Sequence, residues 1–321
     1  FKQKTAYEIR LSLVGSEMCI RDRLWKGADW LVESAAEIAH SLKISDLVIG
    51  LTVVAFGTSA PEFAVTIRAA ITGQTDISIG NVVGSNIFNL GFILGGTAMI
   101  RAINITPKLL YRDGTFLLLA TILIYILFFG FNGWDIADAI SVTEGAILFI
   151  ALIGYIIFLF IKKETIEETH PESANLQSYL WFGIGLISIV LGGHLMVEHA
   201  SSLARVFGVS DWVIAVTIVA AGTSAPELAT SLTAALKNKH GMAIGNLIGS
   251  DLFNLLGVLG LAGMINPTDG LEQYIHGSVV LLVLMVGLTL FMIRTNWMIT
   301  RTEGAILVTI NLVRWYLDFA G

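Results

Sequence analysis

The chain carries one unusual segment twice. GTSAPE occupies residues 57–62 and again 222–227, each time inside an apolar stretch long enough to cross a bilayer. Beyond each copy follows a second matched pair, GNVVGSNIFNL at 80–90 and GNLIGSDLFNL at 245–255. The spacing is ungapped, since Glu62/Glu227, Asn81/Asn246, Ser85/Ser250 and Asn89/Asn254 all stand 165 residues apart. About half of the positions in 50–95 are identical to their counterparts in 215–260, which marks an internal duplication. Two copies of a membrane-embedded unit, each with a Pro-Glu break in a hydrophobic segment, describe a repeat-built transporter with an ion site between the copies.

Composition sets the surroundings of those motifs. Hydrophobic residues make up 55% of the chain and charged residues 14%, far from the balance of soluble domains. The hydrophobic runs predict ten spans, near 24–42, 46–71, 77–100, 113–131, 142–162, 179–205, 211–236, 242–265, 273–294 and 303–320. Each offers the roughly 20 residues needed to cross about 30 Å of hydrocarbon. The expected class is therefore an all-α polytopic membrane protein, with the lipid bilayer as its main partner. No basic patch suits nucleic acid, and no protein partner or resident cofactor is implied. The single cysteine, Cys19, excludes an internal disulfide and a metal-thiolate site.

The duplication reaches beyond the motifs. Gly27 pairs with Gly192 and Glu33 with Glu198 at the same offset, YRDG at 111–114 faces YIHG at 274–277, and TEGAIL at 143–148 recurs at 302–307. Each half then holds five spans. Five is odd, so the second half is expected to cross the membrane upside down relative to the first. Loop charges point the same way. The loops after spans 1, 3, 5, 7 and 9 carry Lys43, Arg101, Lys108, Arg112, Lys162, Lys163, Lys237, Lys239, Arg294 and Arg301, against Arg68, Arg205 and Arg314 on the other side. The positive-inside rule makes the first group cytoplasmic and both termini extracytoplasmic, as in a prokaryotic inner membrane. The organisation expected is an atypical segment at 1–23, a first repeat at 24–162, a cytoplasmic connection at 163–178 and a second, inverted repeat at 179–321. Residues 1–23 are polar and basic with no apolar period, whereas their counterpart around 179–188 is a good span start. Helix 1 reads as truncated or replaced at its beginning, and no signal-peptide core is present.

The chemistry sits at the breaks. Pro61 lacks an N–H and its ring clashes with the carbonyl of Gly57, and a membrane helix tolerates this only where other groups or an ion satisfy the freed backbone. Thr58, Ser59 and Glu62 place further oxygens within the same six residues, and Thr223, Ser224, Pro226 and Glu227 repeat the set. Asn81, Ser85 and Asn89, like Asn246, Ser250 and Asn254, recur every four residues and share one helical face. An intramembrane carboxylate costs on the order of 3 kcal/mol, and two close together repel. No basic residue recurs in the repeats to neutralise them. Oxygen donors without His or Cys favour hard cations, and two glutamates balance one Ca²⁺, two Na⁺ or two H⁺ equally well. That equivalence permits exchange. Taken singly, small residues and a proline in a span are ordinary packing features; the duplicated set is far more specific. The sequence leaves Glu33 and Glu198 open between snorkelling and lining a pathway, and Asp251 open between a cation ligand and a helix-face hydrogen bond. His194, His199 and His240 have no counterpart in the other repeat and read as structural.

These residues resemble the two α-repeats of the cation/calcium exchanger superfamily, the sodium/calcium exchangers and their relatives, in particular the bacterial inner-membrane calcium/sodium antiporters. The resemblance covers about 24–321. It implies ten helices in two inverted halves, with helices 2, 3, 7 and 8 enclosing the ions while helices 1 and 6 slide across them. It further implies that Glu62 and Glu227 ligate Ca²⁺ jointly and that Thr58, Ser59, Thr223 and Ser224 add oxygens. Ser85 and Ser250 would border sodium sites, which the carbonyls of Ala55 and Ala220 would line. Asn89 and Asn254 would be central, where some members carry Asn in one repeat and Asp in the other. Two asparagines here remove one titratable group and leave sodium against proton coupling open.

The expected function is a secondary antiporter exchanging Ca²⁺ for Na⁺ by alternating access, the alternative being a Ca²⁺/H⁺ exchanger of the same fold. An intramembrane hydrolase using Ser59 or Ser224 would need a base and an oxyanion hole, and the repeats offer no recurrent His or Lys. An ion channel would conduct without a counter-ion.

Overall fold

The computed structural model describes residues 6–130, 140–162, 174–206, 220–267 and 273–320. The start of the seventh expected span and most of the connection between the halves lie outside these residues. The described chain is helical apart from one short antiparallel pair, β1 (Ile103–Asn104) and β2 (Met298–Ile299).

Helix α1 runs Ala6–Leu42, so helical structure continues back through the boundary at 23/24 where the sequence predicted the first span to begin. It packs antiparallel against α7 (Leu176–Val206): Gly192 meets Leu24, and Gly185 approaches the backbone of Leu31 and Gly27. After a turn, Ser45 caps α2 by accepting from Val48 N–H at 3.3 Å. Helix α2 continues from Asp46–Ile49 through a π turn at Gly50–Val54 to Ala55–Thr58.

The expected break falls at Ser59, with φ −79° and ψ 6°, and α3 restarts as Ala60–Ile71 with Pro61 in its first turn. Proline suits that position because the first-turn N–H groups have no intrahelical acceptor. The second copy behaves alike: α8 (Ala220–Thr223) ends at Ser224, with φ −88° and ψ 9°, and α9 (Ala225–Leu236) follows.

Helix α4 passes from Thr75–Phe88 through a π turn, Asn89–Leu94, into Gly95–Ile100. Its counterpart α10 passes from His240–Leu252 through Phe253–Val258 into Leu259–Ile265. Helix α5 opens with a π turn at Leu109–Gly114 and continues as Thr115–Phe129. Then come α6 (Val142–Ile161), α11 (Gln273–Asn296) and α12 (Arg301–Ala320).

The recurring TEGAIL motif turns out to start helices. Ser141 and Glu144 form a reciprocal capping box on α6, and Thr300 with Glu303 does the same on α12, through bonds of 2.8 and 3.3 Å. Such boxes satisfy N–H groups that the helix itself cannot.

Among the described residues, six helices are long and apolar enough to cross a bilayer: Ile77–Ile100, Leu109–Phe129, Val142–Ile161, Leu176–Val206, His240–Ile265 and Ile275–Asn296. A bent pair, Asp22–Leu42 with Asp46–Thr58, would raise the number to seven. The difference from the ten predicted spans has identifiable causes. The second span is cut at Ser59, the seventh is only partly described, and the first and last carry charged residues along their length.

The two halves interlock by reciprocal contacts. Near the end of α4, Gly95 lies against Gly304 of α12, while Gly260 of α10 lies against Gly145 of α6, each with a glycine carbonyl within 2.8 Å of the position a Cβ would take. Inside this frame α3, α4, α9 and α10 bring the motif residues to the centre.

Candidate cation site

The two glutamates sit in the first turns of α3 and α9, where unpaired N–H groups favour negative charge. Both are 1% exposed. Each is held by a serine from the other copy of the motif. Ser224 donates to Glu62 Oε1 at 2.8 Å, and Ser59 lies 3.0 Å from Glu227 Oε1. The carboxylates thus point inward across the duplication and are close enough to repel one another. Thr223 lies beside Glu62.

The arrangement is not fully symmetric. Ser250 reaches Glu227 Oε1 at 3.2 Å and lies 2.8 Å from Ser59 Oγ. Two hydroxyl protons serve three contacts there, so at any moment one of the three is without a proton. Its counterpart Ser85 turns away and donates to the Asn81 carbonyl of its own helix at 2.7 Å. Of the four predicted serines, Ser85 is therefore the one not bonded to the carboxylate pair.

Thr58 lies 3.0 Å from Asn246 Oδ1. The Ala55 carbonyl, expected to line the site, already accepts the Ser59 N–H at 3.0 Å and lies 3.2 Å from the Thr58 hydroxyl. Ala220 opens α8, at the place matching Ala55. Asn89 and Asn254 are buried at the π turns of α4 and α10, positions where the backbone ladder is interrupted and functional sites recur.

Several residues outside the predicted ligand set complete the cage, Asn81 and Asn246 of the two polar stripes among them. Asn81 donates to Thr66 at 2.9 Å and to the Glu62 carbonyl at 3.3 Å, and Asn246 donates to Ser231 at 3.0 Å. These amides clamp the helix breaks rather than face the carboxylates. Asn86 and Asp251, both 0% exposed, bond the asparagines of the opposite copy: Asn89 donates to Asp251 Oδ1 at 3.0 Å and Asn254 to Asn86 Oδ1 at 3.1 Å. Asn311 of α12 donates to the Ile87 carbonyl at 3.0 Å, next to the π turn of α4.

What remains is a set of buried oxygens without a donor: Glu62 Oε2, Glu227 Oε2, Asn89 Oδ1, Asn254 Oδ1 and Asp251 Oδ2 have no hydrogen-bond partner among the described residues. Buried polar atoms are nearly always paired, and five unpaired acceptors at the centre of one molecule call for bound cations. No three carboxylate, imidazole or thiol groups converge as a compact cluster among the described residues. The donor set is instead a mixture of carboxylate, hydroxyl and amide oxygens, suited to hard ions.

The other charged residues in question lie elsewhere. Glu33 and Asp29 both bind Lys237, at 2.5 and 2.6 Å. Burial works against that ammonium, but the two carboxylates outweigh it and hold its pKa above the ordinary lysine value. Glu198, His194 and His199 are exposed on α7, and His240 begins α10.

Known proteins share this architecture. The family described as sodium/calcium exchanger protein matches residues 23–161 and 177–317. The sodium/calcium exchanger MaX1 of Methanosarcina acetivorans is 32% identical over 89% of this chain and 92% of its own length. The inner membrane protein YrbG of Escherichia coli is 32% identical over 81% and 82%. A solved structure of the sodium-calcium exchanger NCX_Mj superposes with a TM-score of 0.81 at 31% identity, covering 94% of this chain and 96% of that one. Matched over nearly its whole described length, with its duplicated motifs meeting in one buried cage, this chain belongs to the sodium/calcium exchanger family.

Proposed function

We propose that the protein exchanges Ca²⁺ for Na⁺ across a prokaryotic inner membrane by alternating access, with ten spans in two inverted repeats. Membership of an antiporter family supports transport of inorganic cations. The observation that carries the reading is the crossed pair of serine–glutamate bonds, which gives each carboxylate one satisfied and one unpaired oxygen. Glu62 and Glu227 bind Ca²⁺ together through those unpaired oxygens. Thr58, Ser59, Thr223, Ser224 and Ser250 trim the cage, the carbonyls of Ala55 and Ala220 border it, and Ser85 joins after its hydroxyl swings from the Asn81 carbonyl. Asn89 and Asn254 add neutral oxygens. Sodium ions occupying the same carboxylates exclude Ca²⁺ by charge balance, which couples the two flows.

The test is radioactive calcium counterflow in vesicles with sodium and protons varied separately. Uptake driven by an outward sodium gradient at clamped pH supports sodium coupling. Uptake that follows a pH gradient and ignores sodium replaces it with proton coupling.

A further inference from the structure

We propose that Asp251 is a further cation-binding residue: its carboxylate, with the amide oxygens of Asn89 and Asn254, holds a monovalent cation beside the Glu62–Glu227 pair. The inference rests on the exchange reading above and deepens it.

The duplication equates position 86 with position 251, yet one holds asparagine and the other aspartate. The inter-repeat bond is made equally well by either. Asn254 donates to Asn86 Oδ1 at 3.1 Å and Asn89 donates to Asp251 Oδ1 at 3.0 Å. An amide oxygen is sufficient for that purpose, so the bond does not explain the carboxylate.

The second atom of each side chain is where they differ. Asn86 Nδ2 donates to the Asp251 backbone carbonyl at 3.1 Å. An ionised carboxylate has no proton with which to return that bond, and Asp251 Oδ2 is left without a partner although the residue is 0% exposed. Asn89 and Asn254 spend their N–H groups across the repeat, and their own oxygens are likewise unpaired. Three acceptors of one bonded network, Asp251 Oδ2, Asn89 Oδ1 and Asn254 Oδ1, therefore have no donor. The Glu227 carboxylate lies near enough to add repulsion.

A purely structural aspartate would bear the burial cost of a charge for a bond that asparagine makes without it. A cation removes that cost. One carboxylate and two neutral amide oxygens carry a single negative charge, which a monovalent hard ion balances.

The charge balance has a measurable consequence. Glu62 and Glu227 balance one Ca²⁺, and Asp251 adds a third negative charge that stays uncompensated in the calcium form. The sodium form neutralises all three. Each cycle then moves one monovalent cation more than it would with a neutral residue at 251, and it moves net charge.

The experiment compares wild type with Asp251→Asn in vesicles, reading sodium-driven calcium uptake and its response to an imposed potassium diffusion potential. The asparagine variant copies the side chain that the first repeat already carries at this place. Its half-saturating sodium concentration is expected to rise at least about tenfold, the loss of one charged ligand, and its uptake to lose its response to potential. Asp251→Ser, equally neutral, serves if the asparagine variant does not purify as folded protein. The exchange variant Asn86→Asp/Asp251→Asn, which keeps the carboxylate count, is expected to recover the response. A folded neutral variant with unchanged sodium dependence and unchanged response to potential overturns the inference while leaving the exchange reading intact. A wild type with no sodium-driven uptake overturns the exchange reading and this inference with it.

Discussion

At the scale of single residues, the chemistry depends on which oxygens already have a proton and which do not. Glu62 and Glu227 each keep one unpaired oxygen, so replacing either with glutamine both removes a charge and points an amide donor or a neutral oxygen at the ion. Glu62→Gln and Glu227→Gln are expected to abolish calcium flux, and normal uptake in either would remove the shared site. The serines separate more finely. Ser224 has one carboxylate contact, whereas Ser59 touches both Glu227 and Ser250. Ser224→Ala should weaken calcium binding by about 1 kcal/mol, or some fivefold, and Ser59→Ala by more. Calorimetric calcium titration ranks the two, and a larger loss in Ser224→Ala contradicts the asymmetry. Pro61, Glu62 and their copies were legible in the sequence because proline and an intramembrane acid each force a local consequence. The roles of Asn86 and Asp251 were not. Their partners lie on the other repeat, and which atom meets which depends on the relative rotation of two helices.

At the scale of elements, the site is rigid because its helices approach to backbone contact. Gly249 of α10 sits where an added Cβ would meet the Leu51 carbonyl at 2.6 Å and the Ala55 Cβ at 2.7 Å. Neither neighbour is the flexible end of a side chain, so Gly249→Ala must push α2 away from α10 and carry Thr58 and Ser59 with it. The expected cost is about 1–3 kcal/mol of stability, together with most of the calcium flux. Gly154 of α6 has nothing within 4 Å of its Cβ position. Gly154→Ala, read in the same thermal unfolding and uptake assays, should behave as wild type. Equal damage in both variants would mean that the close contact at Gly249 does not govern the response. The helix breaks at Ser59 and Ser224 could be read from Pro61 and Pro226. The π turns at Asn89–Leu94 and Phe253–Val258 could not. They depend on tertiary partners, such as Asn311 reaching the Ile87 carbonyl beside the first of them, and no local residue pattern encodes a neighbour so far along the chain.

At the scale of the whole molecule, the loops sort themselves into two sets by contact, independently of their charge. Lys239 pairs with Asp46 at 3.7 Å, Arg101 bonds Asn238, and β1 pairs with β2. These contacts join the loops that follow the first, third, seventh and ninth expected spans. Gly73 lies against Asn266, joining the loops after the second and eighth. The grouping agrees with the one drawn from basic residues: charge bias survives a broken or charged helix, whereas a length-and-hydropathy criterion does not. On the proposed topology the Lys239 side is cytoplasmic, as the positive-inside rule expects. In a Cys19→Ser background, Gln74→Cys should react with a membrane-impermeant maleimide in intact cells, and Lys239→Cys should react only after the membrane is opened. The opposite pattern would invert the molecule and leave the cage unchanged. Labelling of both sites from outside would place them on one face and break the inverted-repeat topology itself.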